Sequence, residues 1–463
     1  MGRPAFDFLD FLHAARQRYW QVLPLSPTGC GDSPYQSVSA FAGNPYFIDP
    51  GILCEQGLLL PGELPKQRCE EPDFYDLYIT RPILFRKAFA RADRREIAAF
   101  CETQRDWLPE YALFSAIKDS EGSRPWYEWE DPALRLREPT ALAVARADFA
   151  EDILYHSFLQ MHFFRQWEAL RAYAARLRVQ IIGDMPLYVP YDSVEVWKDS
   201  ELYQLDENRA PTRVAGCPPD YFSEDGQWWG NALYRWEAHE TTGFDWWQRR
   251  LIAANRLYDV VRLDHFRGIS AYWSIPADAP TAAYGRWEEG PGMKLIAALK
   301  EACPGCRIIA EDLGVQSPEL STLLAQSGFP GMRLIQFAFG SDPGNYHLPH
   351  NHDANCVVYT ATHDNATMMQ WVAEVNPDEL GHAVDYLGLN AKEGLPFGFA
   401  RGVLGSAADM AIIPWQDYLG LGAEARMNLP NTMGWWRYRA QGSDFTEKLA
   451  KRIGYYTEMF GRG

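Results

Sequence analysis

Asp259-Val260-Val261-Arg262-Leu263-Asp264-His265-Phe266-Arg267-Gly268-Ile269 sets a short apolar run of strand-favouring residues directly ahead of a charged cluster. A strand buried in a parallel sheet is apolar almost throughout. An acid and a base crowded at its C-terminal end therefore read as functional. Taken alone, the stretch is explained equally well by Asp264 capping a following turn and Arg262 standing as a solvated edge residue. The rest of the chain separates the two readings.

Beyond residue 177 short apolar runs alternate with helical patterns and polar loops, at 179–182, 260–263, 307–310, 333–339, 356–360 and 411–414. Strand followed by helix, repeated, predicts parallel βα units. Each run ends on polar residues: Asp184, Asp264, Glu311 with Asp312, Gln336, His363 with Asp364, and Gln416 with Asp417. The active site of a (β/α)8 barrel is assembled at those C-terminal strand ends, so a set of acids from different strands predicts the barrel and its site together. Ahead of this rhythm Phe6, Leu9, Leu12, Ala15 and Tyr19 recur at helical spacing and predict an opening helix, followed by a strand at 20–23. That strand and the six later runs make seven, where a closed barrel needs eight. The expected fold is an α/β, (β/α)8 TIM-type barrel whose first strand is absent from this chain.

The barrel is expected to carry insertions while remaining one catalytic domain over 1–463. A Pro/Gly/Ser-rich loop covers 24–46, and loops that long inside compact domains are usually functional. Helical patterns dominate 52–178, at 83–100, 107–117 and 140–177, and predict a helical insertion subdomain. The stretch 202–236 is rich in Gly, Pro and aromatics, the composition of a lid or substrate-binding loop, with an ordered surface excursion as the plainer alternative.

Composition narrows the partners. The 463 residues carry 44 Lys and Arg against 61 Asp and Glu, a net charge of -17 that repels phosphate backbones and anionic lipid, so neither nucleic acid nor a membrane surface is expected. Aromatics reach 14%, including 17 Trp, many beside turn residues and acids. Most of them fill the core, but aromatic faces beside carboxylates also suit sugar rings. No apolar run approaches a transmembrane span and the N-terminus lacks the basic start and apolar core of a signal peptide, which predicts a cytoplasmic protein. Eight scattered Cys do not resemble a disulfide framework. Cys303-Pro304-Gly305-Cys306 lacks the second pair a zinc site needs and reads as a turn between helix and strand.

Asp264, Glu311 and Asp364, far apart in sequence, would converge at one barrel mouth. Carboxylates in an aromatic cleft suit glycosidic-bond chemistry through an oxocarbenium-like transition state. Arg262, two residues before Asp264 and so on the same strand face, would hold that carboxylate ionised. Glu311 would need its proton at working pH, which burial favours. Charge alone leaves open which acid does which task.

These residues also carry a resemblance. Gly29-Cys30-Gly31-Asp32-Ser33-Pro34-Tyr35-Gln36, Gly183-Asp184-Met185-Pro186-Leu187-Tyr188-Val189, the stretch 215–231, Val261-Arg262-Leu263-Asp264-His265, Ala310-Glu311-Asp312-Leu313-Gly314 and Thr362-His363-Asp364-Asn365 resemble, in order, the motif series of the amylomaltases, the 4-α-glucanotransferase family. The likeness runs from about residue 4 to beyond Arg426-Met427-Asn428. It implies retaining double displacement on α-1,4-glucans and maltooligosaccharides, with no cofactor and no metal. Asp264 matches the nucleophile, Glu311 the acid and base, and Asp364 the third carboxylate, which stabilises the transition state. Arg262 and His363 match supporting residues, Asp184, His265, Ser33 and Tyr35 sugar contacts, and Gln227 and Trp229 the loop over the acceptor side. The family opens with a strand and a His-Pro-Thr-Ser-Leu-Pro-like loop, whereas this chain starts at the helix that follows them.

Three other readings compete: a hydrolase with the same carboxylates, a glucan-binding protein without turnover, and metal-dependent hydrolysis through His347, His350 and His352. Pro349 stands among those three histidines, and no helix puts two of them on one face.

Overall fold

The apolar runs become strands. In the computed structural model, which describes residues 1–65, 71–219 and 223–463 (backbone only for Cys30), seven parallel strands follow one another in chain order. They are β1 (Tyr19–Gln21), β2 (Gln180–Met185), β3 (Val260–Leu263), β4 (Arg307–Ala310), β5 (Gly331–Leu334), β6 (Cys356–Tyr359) and β7 (Met410–Ile412). The first four form one hydrogen-bonded sheet and the last three another. Ala310 N donates to Pro330 O at 2.9 Å and Met332 N to Asp312 Oδ1 at 2.6 Å, which joins the sheets between β4 and β5. Ile182, Val260, Ile309, Met332, Leu334, Val357 and Tyr359 pack together as one buried cluster contributed by five of the strands. This is a (β/α)8-type barrel with one strand position unfilled.

The unfilled position lies between β7 and β1. Among the described residues no strand pairs with the free edge of either, and a cavity of about 830 Å³ separates them. Phe8, Phe11, Trp20, Trp415 and Phe445 line its apolar part, and it reaches Arg262 and His363. Tyr359 OH reaches the same side of the barrel and donates to Gln21 Oε1 at 2.9 Å. The expected count of seven strands, one short of closure, matches this architecture.

Some boundaries differ from expectation. The run at 333–339 ends as a strand at Leu334, because Ile335–Phe337 winds into a 3-10 turn and Gln336 Nε2 donates to Ala366 O at 2.7 Å. The helical pattern at 83–100 is two helices, Phe74–Ala90 and Arg94–Thr103, since Asp93 adopts an extended backbone and caps the second by accepting from Arg95 N. The stretch 202–236 is not all loop. Arg213–Cys217 and Gln227–Ala232 join Ala271–Pro276 and Arg286–Glu289 in an antiparallel sheet of four strands; residues 220–222 of the stretch lie outside the described residues.

The long N-terminal loop is fixed by the helix Ala150–Arg176, about 40 Å long at 1.5 Å per residue. Gln160 accepts from Gly43 N at 2.8 Å and donates to Gly43 O at 2.9 Å, and Gln166 treats Asp49 N and O the same way at 2.8 and 3.3 Å. Gly43 has no room for a side chain: a Cβ there would stand 2.0 Å from the Phe163 ring. Two buried amides thus read loop backbone as a partner strand would, and they hold the loop that carries Ser33 and Tyr35. Among the described residues no helix is long and apolar enough to cross a membrane.

Candidate active site

Strand register brings the charges together. Asp184 pairs with Arg262 across β2 and β3, and Leu263 with Ala310 across β3 and β4, so Asp264 and Glu311 each follow the last residue of adjacent strands. Glu311 N donates to Leu263 O and Asp264 N to Met185 O, both at 3.0 Å, which continues the ladder one step past the sheet. Val261, Leu263 and Ala310 are fully buried beneath them and fix where the strands end.

Arg262 is the hub. Its Nη1 donates to both carboxylate oxygens of Asp184 and to Asp264 Oδ1, each at 2.8 Å. Its side chain is 4% exposed and that of Asp184 1%, so the guanidinium is nearly stripped of water. Burial works against the cation, and the Asp184 and Asp264 carboxylates outweigh it, holding Arg262 charged well above the ordinary arginine range. Tyr35 OH completes the cluster by donating to Asp184 Oδ2 at 2.6 Å.

Glu311 is held differently. His265 N donates to its Oε2 at 2.9 Å and Leu313 N to its Oε1 at 2.7 Å. Burial pushes this carboxyl up to about 8, against the pull of Arg262 and with the help of Asp264. The two neighbouring carboxyl groups thus have different settings: Asp264 lies on a guanidinium, and Glu311 keeps a proton at neutral pH. That division is what paired acid and nucleophile chemistry needs.

Asp364 stands at the third corner, with a side chain 45% exposed. Thr362 and Asn365 close its turn, Asn365 Oδ1 accepting from Thr362 N at 3.0 Å and from Thr362 Oγ1 at 2.6 Å. His363 Nε2 lies 3.3 Å from Asp364 Oδ1, and Asn428 Nδ2 donates to the same oxygen at 2.7 Å. Arg426 Nη2 donates to Asp364 O at 2.9 Å. The His363 ring stacks on Tyr35, centroids 5.1 Å apart and planes within 17°, and Trp436 tilts against both at 5.9 Å. His363 thereby connects the Asp364 turn to the Tyr35–Asp184 pair.

His265 takes a left-handed backbone, φ 49°, which turns the chain sharply after Asp264. Burial lowers its imidazole to about 4, so it is neutral at physiological pH. The Trp229 ring meets it edge to face at 4.8 Å, Tyr188 lies 6.1 Å away, and Trp229 Nε1 donates to Gln227 Oε1 at 3.1 Å. Gln227 and Trp229 therefore reach the carboxylates through His265. Ser33 makes no bond to a carboxylate, and its Oγ accepts from Tyr35 N at 3.3 Å.

Sequence reasoning assigned no role to Asn428 or Arg426, although the Arg-Met-Asn run stood out, and did not foresee Trp436 or Tyr188 at the site. The three histidines of the metal reading make hydrogen bonds to backbone groups and to the Tyr386 hydroxyl. His347 Nδ1 accepts from Leu334 N at 3.1 Å, His352 Nε2 donates to His347 O at 2.9 Å, and His350 bonds Tyr386 OH and Pro343 O.

Comparison with known proteins places the chain beside a family of known activity. A family model described as 4-alpha-glucanotransferase matches residues 1–445. The 4-alpha-glucanotransferase of Clostridium butyricum is 44% identical over 100% of this chain and 96% of its own length. That of Thermus thermophilus is 46% identical over 98% and 93%. Among solved structures, an amylomaltase from Streptococcus agalactiae in complex with acarbose superposes with a TM-score of 0.97 at 39% identity, covering 100% of this chain and 95% of that one.

Proposed function

We propose, from the premise that this chain belongs to the 4-alpha-glucanotransferase family, that Asp264, Glu311 and Asp364 carry its reaction by retaining double displacement. The protein transfers α-1,4-glucan segments from a donor to an acceptor maltooligosaccharide or glucose. Asp264, aimed by its hydrogen bond from Arg262, attacks the anomeric carbon and forms a β-glycosyl ester while the Glu311 proton goes to the departing glycosidic oxygen. Glu311, now a carboxylate, then takes the proton of an acceptor hydroxyl, which attacks the same carbon and restores the α-configuration. Retention by this route needs the two carboxyl groups about 5 to 5.5 Å apart. Asp364, fixed by Asn428 and His363, binds sugar hydroxyls and stabilises the positive charge at the transition state.

The observation that carries this reading is the opposed setting of two acids on adjacent strand ends: Asp264 on Arg262 at 2.8 Å, and Glu311 buried and pushed up to about 8. Asp184 on β2 and Tyr35, with Ser33 beside Tyr35 in the N-terminal loop, form the sugar-binding side together with His265. Trp229 and Gln227, within 202–236, cover the acceptor side and exclude water, so that a sugar hydroxyl outcompetes it. The helices of 52–178 are an insertion that buttresses the N-terminal loop within one catalytic domain over 1–463.

Incubation with maltotriose tests the reading. Transfer yields longer maltooligosaccharides together with glucose, retained as α-linkages. Only shorter products would mean a hydrolase, and unchanged maltotriose with bound sugar would mean a binding protein.

A further inference from the structure

Cys303-Pro304-Gly305-Cys306 joins the helix Gly292–Ala302 to β4, five residues ahead of Glu311. It is a tight turn. Cys303 N ends the helix on Leu299 O, Cys306 N donates to Cys303 O, both at 3.1 Å, and Gly305 has φ 87°. Proline second and a positive-φ glycine third make this a type II turn, which holds its first and fourth Cα atoms within about 7 Å. A disulfide asks for Cα atoms roughly 4.4 to 6.8 Å apart, a separation that such a turn allows between its first and fourth residues.

Both cysteines are free thiols of intermediate exposure, packed against the main core. No residue of the reaction uses them, and a second pair for a metal is missing. We propose that Cys303 and Cys306 are a redox modification site, which a small-molecule disulfide such as glutathione disulfide closes into an intramolecular disulfide.

The step balances. The Cys303 thiolate attacks one sulfur of glutathione disulfide, forming a mixed disulfide and releasing one glutathione thiolate, which takes up a proton. Cys306 then loses its proton and attacks the Cys303 sulfur, releasing the second glutathione. The pair gives up two electrons and two protons, and the oxidant's S–S bond becomes two thiols. Burial and the neighbouring Cys303 sulfur push the Cys306 thiol up to about 12. Cys303 is taken as the attacking sulfur and Cys306 as the resolving one, an order that the Cys306→Ser variant tests. The turn feeds the start of β4, and positions at that end of a barrel strand serve stability more than chemistry. Closure is therefore expected to leave turnover of maltotriose within about twofold, well under the tenfold that 1.4 kcal/mol would give.

The full chain is incubated with glutathione disulfide, alkylated, digested and mass-mapped over 303–306. The expected fragment is unalkylated, lighter by two hydrogens and restored by dithiothreitol. Cys306→Ser should stop at a stable glutathione adduct on Cys303. A wild-type fragment alkylated on both sulfurs, or one retaining glutathione, would overturn the proposal and leave the segment a turn only. So would a Cys306→Ser protein whose Cys303 stays unmodified.

Discussion

Arg262 Nη1 lies 2.8 Å from Asp264 Oδ1, and the same nitrogen lies 2.8 Å from both oxygens of Asp184. One guanidinium therefore aims the proposed nucleophile and neutralises a carboxylate that has almost no water. The two roles differ in what their loss costs. Replacing Arg262 with Met removes the counter-charge of the buried Asp184 and leaves it only the Tyr35 hydroxyl, a change worth about 3 to 5 kcal/mol of stability. Urea denaturation should register that loss, and glucan transfer should collapse with it. Stability equal to the wild type would show that the cluster is not the electrostatic unit described here.

The raised Glu311 carboxyl predicts the alkaline limit of activity. The proton donor is present below about 8 and lost above it, so kcat/KM should fall with rising pH around that value. The sign for stability is the same. In the unfolded chain this side chain loses its proton near pH 4.3, whereas the native carboxyl retains it to about 8. Its contribution is complete below pH ~4.3 and disappears as pH rises through that window. A pH–rate profile of the wild type checks the limb, and Glu311→Gln should abolish both the limb and the activity on unactivated glucan.

Asn428 donates to Asp364 Oδ1 at 2.7 Å on a side chain nearly half exposed. A hydrogen bond to a charged group contributes about 1.5 to 3 kcal/mol. If Asn428 fixes Asp364 for the transition state, Asn428→Ala should lower kcat by roughly ten- to a hundredfold while the thermal midpoint stays close to the wild type. A change in KM alone would assign Asn428 to ground-state sugar binding.

What could be read from sequence follows from what sets each feature. The bounds of β3 and β4 are legible because charged or turn residues flank both apolar runs, and the acids beyond them mark the strand ends. The strands Ala271–Pro276 and Arg286–Glu289 escape, since their stability comes from cross-strand partners such as Trp273 opposite Trp287, which no local pattern displays. Asn428 escapes because its target lies 64 residues away and its helix-free segment has no periodicity. Glu195, in the helix Val194–Lys198, is invisible because its partners lie 156 and 155 residues away. It is buried, accepts from Ser39 Oγ and Ala40 N at 3.0 and 2.9 Å, and is pushed up to about 7 by that burial, yet in sequence it is one acid among many. The strand deficit was legible because it is a count, and the cavity between β7 and β1 is its physical form.

The account turns on Asp264 forming a bond to sugar while Glu311 moves the proton. An activated donor such as α-maltotriosyl fluoride needs no acid to leave, so Glu311→Gln should accept the glycosyl group and release it slowly. Peptide mass mapping of that variant after brief incubation measures the trapped species directly. The expected result is a maltotriosyl mass on the peptide that contains Asp264, absent when Asp264→Asn is combined with Glu311→Gln. A glycosyl mass on Asp364 or Asp184, or persistence of the adduct in the double variant, would contradict the assignment.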